Sequence, residues 1–446
     1  MSGRGWVGTA RRLAILVVVG ALAVSVGTLA MGSATAAEEI TGCMDEDETA
    51  SINESGHYVL ANDLQGSGET CIEITADDVV LDGQGHAVDG DGTRSAFGIE
   101  ATSQSFGDDL TNVTVTDIEV RGWNGSFSYG LIFTGASHGE ISNVTAVENG
   151  GAGIALDDFN DNITVTDSTA NGNDRDGIFM RDSTDNRLRN NTVSMNGDDG
   201  IQSNAGVNNT FRNNTANDNG DDGIRLNDNF GNEDSLVVNN TANGNDGAGF
   251  FTGDGDNNTL RDNGAYGNGD AIVLGENAAT SEVERLDIGD STAANTTLSM
   301  QGENVSVDAA TAPPDNPNAA GIGRYFEATN TTADASLNVS VHYDEGDVAD
   351  VNESSLSLWR YDGGSWGEVG GATVDTGERT VDAEITDFST FGAFAGSNPV
   401  AEYANSEGVV DTEGLREGID DWRGGDTGTD LLREVIDYWR SGEPVE

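Results

Sequence analysis

Short alternating segments recur through the middle of the chain: GIALD at Gly153–Asp157, GIFMR at Gly177–Arg181, GIQSN at Gly200–Asn204, GIRLN at Gly223–Asn227 and GFFTG at Gly249–Gly253. In an extended backbone, the residue after each glycine and the one two positions later share a face, so these segments predict very short strands. The Asn, Gly and Asp clusters between them predict turns. The leading dipeptide also stands at Gly98-Ile99 and Gly130-Leu131, and Ala271-Ile272 continues it. From Gly130 onward the steps are 23, 24, 23, 23, 26 and 22 residues. Three polar columns keep the same period. Asn149, Asn173, Asn196, Asn219 and Asn245 stand four before the marker glycine. Asn143, Asp167, Asn190, Asn213 and Asn239 form the second column, and Asn162, Asn186, Asn209, Asn232 and Asn258 the third.

Strands too short for hairpins, in units of about 23 residues, predict a coil of about three strands and three turns, each coil stacked in parallel on the next at ~4.8 Å. The fold class is therefore all-β: a right-handed parallel β-helix, the hand following the crossover rule. An inward-turned Asn satisfies backbone groups in its own turn and the amide of the Asn above, which gives the columns a structural role. The run CIEITADDVVLDGQGHAVDG (Cys71–Gly90) reads as the first coil, Ile40–Gln65 as a cap before it, and Val283–Val307 as the last coils.

Other segments have other patterns. Leu13–Leu29 is apolar, follows Arg4, Arg11 and Arg12, and precedes Ala34-Thr35-Ala36, so residues 1–36 read as a secretory signal, by the general or the twin-arginine route. Residues 37–310 are then the β-helix with its cap. TAPPDNPN (Thr311–Asn318) reads as a linker, and residues 311–396 as a small antiparallel β-sandwich with a hairpin at Asp362-Gly363-Gly364. Within residues 397–446, LREGIDDWRGG and LREVIDYWRSG are offset by 17. They predict a short α-helical hairpin with Leu415, Ile419 and Trp422 facing Leu432, Ile436 and Trp439, the two tryptophans buried against each other.

Composition adds the setting. The 446 residues include 78 acidic and 20 basic ones, for a net charge of −58, and every basic residue is Arg. Arg loses less than Lys on pairing in brine, so the chain reads as that of an extreme halophile. Nucleic acid is excluded as a partner by charge, and no second long apolar segment predicts a membrane span after signal cleavage. Cys43 and Cys71 lie in the exported part and predict a disulfide closing about 28 residues, worth roughly 3 kcal/mol.

The Asn/Gly coils with VVLDGQGHAVDG resemble secreted right-handed β-helix proteins of the NosD-like and carbohydrate-binding/sugar-hydrolase group. The strands at Ala335–Ala395, ending FSTFGAFA, resemble the PGF-pre-PGF β-domain of haloarchaeal surface proteins. The tail is similar to the dockerin-like tails of haloarchaeal exported proteins. That resemblance implies a calcium loop and a protein partner. With Gly408 as the loop glycine, however, Tyr403 occupies the first ligand position, with Asn405, Glu407 and Asp411 following. The first ligand is missing, so no cofactor is expected beyond calcium at this degenerate loop. The label NosD-like implies copper, but His57, His86, His138 and His342 are scattered and no metal site is expected.

The chemistry that remains lies in columns. Asp176, Asp199 and Asp222 stand just before the marker glycine, with Asp198 and Asp221 beside the last two. Stacked carboxyls raise one another's pKa, as a general acid requires, and are the candidate catalytic residues. Phe179, Gln202, Arg225 and Phe251 share an outward column, with Arg181 two residues after Phe179; these are the candidate substrate-binding residues. Arg189, Arg212 and Arg261, with Arg187 nearby, form a second outward row suited to an acidic glycan or to pairing with neighbouring acids. Fifteen N-x-S/T sequons run from Asn53 to Asn352. The expectation is a secreted or cell-surface protein that recognises extracellular polysaccharide. A polysaccharide lyase or glycoside hydrolase is the first alternative, and a non-catalytic adhesin-like rod the second.

Overall fold

The computed structural model describes residues 36–443 except 45–49, 67–68, 93–95, 104–108, 126, 228–231, 254, 256, 290–294, 311–313, 315–318, 350, 397–399, 401–402, 406–408 and 425–427. The signal reading and most of the linker reading lie outside the described residues.

The GI segments are strands, and they stack in parallel with one register: Ile154, Ile178, Ile201, Ile224, Phe250 and Ile272 lie directly above one another. Between Thr164 and Tyr266 each coil carries two more short strands, whereas in flanking coils these merge into single strands such as Thr114–Arg121, Glu140–Val147 and Glu282–Gly289. In the coil after Ile178–Arg181 the two are Arg187–Arg189 and Thr192–Ser194, each paired in parallel with its counterparts on the neighbouring coils. Inward residues fill the lumen: Met180, Leu188, Val193, Phe211, Val237 and Leu260 are all at most 2% exposed. Burying one such side chain stabilises the coil by about 2 kcal/mol, and the stack repeats the gain at every turn.

The inward asparagine column is as expected. Asn196 Oδ1 accepts from Asn173 Nδ2 at 3.0 Å and from the Asn173 backbone N–H at 3.1 Å, while Asn196 Nδ2 donates to Ala170 O at 3.0 Å. The same three bonds recur at Asn219 and Asn245. This ladder explains the marker glycine. A Cβ on Gly200 would stand 2.6 Å from Gly223 O and 2.7 Å from Asn219 Nδ2, so only glycine fits between the ladder and the next coil.

Five expectations need correction. The second column is not inward: Asn143, Asp167, Asn190, Asn213 and Asn239 sit at left-handed corners with φ of 52–57°. The inward residue there is the next one, giving a ladder of Asn191, Asn214, Asn240 and Asn263. In the third column Asn186, Asn209 and Asn258 are inward, but Asn162 is a left-handed corner and Asn232 belongs to the neighbouring column of Asn160 and Ser183. A three-residue insertion in that coil shifts the count. Ile40–Gln65 is no separate cap. Glu38–Ile40, Gly56–Leu60 and Val79–Asp82 pair in parallel, so coiling begins at Glu38. The Cys43–Cys71 disulfide joins these first coils.

The fourth correction concerns the far end, and the fifth the tail. Glu282–Gly289 is the last parallel strand of its row, and Thr296–Glu303 turns back antiparallel against it. Ser336–His342 and Thr380–Ile385 then extend that sheet. In the other sheet, Val305–Ala309 runs antiparallel to Asp270–Leu274 and is followed by Ala320–Asn330, Thr390–Ala395 and Leu356–Asp362. The antiparallel strands thus continue both solenoid sheets, and one apolar core runs from Ile40 to Ala395. The hairpin at Gly363-Gly364 forms as expected, both glycines having positive φ.

Helices α1 (Thr412–Gly424) and α2 (Thr429–Ser441) close the described chain. The tryptophans do not bury each other: Trp422 is 43% and Trp439 40% exposed. Gly418 lets α1 approach Val435 of α2, Gly414 lets it approach the backbone of Tyr403, and Leu415 of the expected stripe packs on the same cluster. Two glycines one turn apart allow a closer contact than the bulkier tryptophan stripe.

Candidate functional site

The outward column forms as the register requires. Ala155, Phe179, Gln202, Arg225, Phe251 and Val273 occupy successive coils of one sheet, ~4.8 Å apart. The connection at 122–130 has nine residues where the next coil has six, at 148–153, and the extra length adds a wall. Its Tyr129 stacks on Phe97 at 5.7 Å between ring centroids, and the Arg175 guanidinium lies 5.1 Å from the centre of the Phe127 ring. Phe127, Tyr129, Arg175, Asp176, Phe179, Arg181, Gln202 and Asn204 line a depression of about 300 Å³. Four of the eight expected residues therefore meet in one place. Phe127, Tyr129, Arg175 and Asn204 were not anticipated; the signal for the first two was the long connection before Gly130.

Arg181 pairs with Asp157 and Asp158, each at 2.8 Å. One and two coils beyond the depression, Arg225 Nη1 contacts Asp222 Oδ2 at 2.5 Å, and its guanidinium lies 4.1 Å from the Phe251 ring centre. A guanidinium held by a carboxylate and stacked on an aromatic is rigid, and it keeps its outer edge for a ligand.

The Asp column is buried, not surface-lying: Asp176, Asp199 and Asp222 are 4%, 1% and 3% exposed. Each Oδ1 accepts a backbone N–H from the coil above, Asp176 from Asp199 at 3.2 Å, Asp199 from Asp222 at 2.9 Å and Asp222 from Ala248 at 2.6 Å. The second oxygen of Asp199 meets Gln202 Nε2 at 2.6 Å. Burial, then the charges of Asp222 and Asp176, push the Asp199 carboxyl up to about 8. Burial pushes Asp176 up to about 6, and it raises Asp222 against the opposing pull of the Ala248 amide and Arg225. Near neutral pH, Asp199 is thus a protonated acid between two ionisable neighbours. Oxygens of Asp199, Asp221 and Asp222 lie within 4.8 Å of one another; a cation held there would compete with Arg225 for Asp222.

The other expected sites are placed as follows. Arg189 and Arg212 stack outward on adjacent coils, Val238 interrupts the row, and Arg261 lies 3.8 Å from Glu284. Arg187 donates to Asn162 Oδ1 at 2.7 Å. In the tail, Tyr403 is buried and donates to Asp421 at 3.0 Å. Asp411 caps α1, accepting from the Glu413 and Gly414 amides at 2.8 and 3.2 Å.

Residues 50–203 and 95–263 match the family described as right handed beta helix region. That stretch is a right-handed β-helix. No curated protein matches the chain. Among solved structures, the A-module of the Azotobacter vinelandii mannuronan C-5 epimerase AlgE4 is similar at 17% identity and a TM-score of 0.47, over 54% of this chain and 74% of that one. The pectate lyase Pel9A is similar at 19% identity and a TM-score of 0.40, over 53% and 66%. The periplasmic alginate epimerase AlgG is similar at 14% identity and a TM-score of 0.35, over 52% and 69%. These likenesses are of fold. Among the described residues of the β-helix protein, no helix is long and apolar enough to cross a membrane.

Proposed function

We propose that this β-helix protein is exported and binds an extracellular polysaccharide along the strip from Phe127 to Phe251. The observation that carries the reading is the in-register column of Phe179, Gln202, Arg225 and Phe251, opening at one end into the walled depression. A linear glycan laid along the solenoid axis meets a new side chain at each coil: an aromatic face for a sugar ring, an amide and a guanidinium for its hydroxyl or carboxylate groups. The disulfide supports export. The tail helices, with both tryptophans half-exposed, suit attachment to a protein partner. Glycan-array binding in molar salt tests the reading. Binding that is lost in Phe179→Ala and in Arg225→Ala supports it, and no binding by the intact protein overturns it.

Catalysis by a lyase or hydrolase is the second reading, favoured by one observation: Asp199 retains a proton near neutral pH and lies one coil from Asp176 and from Asp222. Against it stands the burial of all three carboxyls, whose Oδ1 atoms are already engaged by backbone. Release of reducing ends from the bound glycan, abolished in Asp199→Asn, is the test. The rod reading loses ground to the wall at 122–130, which a plain spacer does not need.

A further inference from the structure

Two left-handed corners flank the strand row that contains Thr164–Thr166, Arg187–Arg189 and Thr210–Arg212. One column of corners is Asp78, Asn112, His138, Asn162, Asp185, Asn208, Asp234 and Asn257. The other is Asp117, Asn143, Asp167, Asn190, Asn213, Asn239, Asp262 and Arg285. Asn and Asp tolerate positive φ, so the corner alone explains why these types recur. It does not explain what stands two residues later, at the first outward position after the corner.

In the first column every Asn is followed at that position by Thr: Thr114, Thr164, Thr210 and Thr259. The corners that are not Asn are followed by Val80, Glu140, Arg187 and Leu236. In the second column the four Asn are again followed by Thr145, Thr192, Thr215 and Thr241, and the other corners by Glu119, Thr169, Gly264 and Asp287. Thr thus follows all eight Asn corners and only one of the eight others. The fold accepts Val, Glu, Arg, Leu, Gly and Asp at the Thr position, and Asp, His and Arg at the corner, so stacking does not require the pairing. No hydrogen bond links a corner Asn to its Thr among the described residues. Asn-x-Thr is the acceptor pattern for N-glycosylation. Seven of the eight corner asparagines are exposed, Asn162 being half-buried, and the intervening residue is always buried in the lumen.

We infer that the two corner columns are N-glycosylation edges, and that the first bears glycans at Asn112, Asn162, Asn208 and Asn257, on alternate coils about 9.6 Å apart. In the transfer, Asn Nδ2 bonds to the anomeric carbon of an oligosaccharide carried as a phosphate ester. The carbon–oxygen bond to phosphate breaks, the phosphate leaves with the electron pair, and one amide proton passes to a base of the host's transferase. The second Nδ2–H remains. At Asn112 and Asn208 it still donates to the carboxylate of the coil below, Asp78 and Asp185. His138, Asp185 and Asp234 space the acceptors so that neighbouring glycans clear each other. In the second column Asn190, Asn213 and Asn239 are on consecutive coils about 4.8 Å apart, so crowding leaves Asn213 bare when its neighbours are filled.

The test is intact-glycopeptide mass spectrometry of the full exported chain from its natural source, beside Thr114→Val, Thr164→Val, Thr210→Val and Thr259→Val. Val keeps the β-branched shape, and Val80 already occupies the same column, so circular dichroism and Tm of the variants stay at the wild-type values. The expected result is a sugar-bearing peptide at one or more of the four asparagines, lost at the matching site in each Thr→Val variant. Bare asparagine at all four, or sugar that survives the Thr→Val change, overturns the inference.

Discussion

Replacing Asp199 by Asn removes a charge that the folded protein resists forming. The Asp199 carboxyl rises from an ordinary 3.8 to about 8, chiefly by burial and then by its two acidic neighbours. Between those values the folded chain keeps the proton that the unfolded chain has lost, so unfolding releases a proton and stability falls as pH rises from about 4 to about 8. Below about 4 both states are protonated and the effect vanishes; above about 8 both are ionised and the full cost persists. Four units at 1.36 kcal/mol each set an upper bound on the order of 5 kcal/mol, shared with Asp176 and Asp222 because the three titrate together. Asn keeps an Oδ1 for the Asp222 amide, and a turn of the Gln202 amide presents its oxygen to the new NH2 group. The expected outcome is a variant equal to wild type near pH 4 and progressively more stable up to pH 9. Thermal unfolding at pH 4, 6, 8 and 9, in one fixed concentration of salt, reads it. A loss of stability that is the same at every pH would refute the reasoning, since it would mean that Asp199 contributes only its hydrogen bonds.

Phe211→Ala empties a fully buried position stacked between Leu188 and Val237 and should cost about 3–5 kcal/mol, seen as a lower Tm with unchanged glycan binding. Asn196→Ala leaves Asn173 without two acceptor contacts and Ala170 O without its donor; about 3 kcal/mol is expected, and hydrogen exchange should open first at these coils. Paired Cys43→Ser and Cys71→Ser should lower stability by about 3 kcal/mol and expose the first coils to protease. Phe179→Ala should weaken glycan binding at least tenfold while leaving Tm within a few degrees, because Phe179 is outward and the lumen beneath it is untouched.

The repeat was legible because the lumen and the ladders restrict residue type at one position per coil. Only glycine fits at Gly200, and the ladder through Asn196 is asparagine at every coil from Asn149 to Asn268, so both positions repeat visibly. Legibility failed where spacing and chemistry part company. Asn190 and Asn191 are the same residue type, but one turns out at a left-handed corner and the other turns in, which composition does not distinguish. Asn232 was misplaced because the insertion in its coil falls between the marker and the ladder. The burial of the Asp column is not legible, because Asp beside Gly suits an open turn equally well; it is the amide of the next coil that holds Asp199 inside. In the tail, helical periodicity finds Leu415, which packs on the cluster of Tyr403 and Val435, but not Gly414 and Gly418, which bring the backbone of α1 close to those two residues. The depression was half legible: Phe179 and Gln202 repeat with the coil, whereas Phe127 and Tyr129 arrive from a connection outside the repeat.

The antiparallel strands that continue both sheets leave no swivel between solenoid and sandwich. Sheet hydrogen bonds and a common core fix their mutual bearing, so the sandwich keeps one angle to the strip whatever the chain does at 311–318. A partner gripping the sandwich would therefore hold the strip at a set heading. The protein would present a glycan as a spirit level presents its bubble, with orientation built into the frame and not left to a tether.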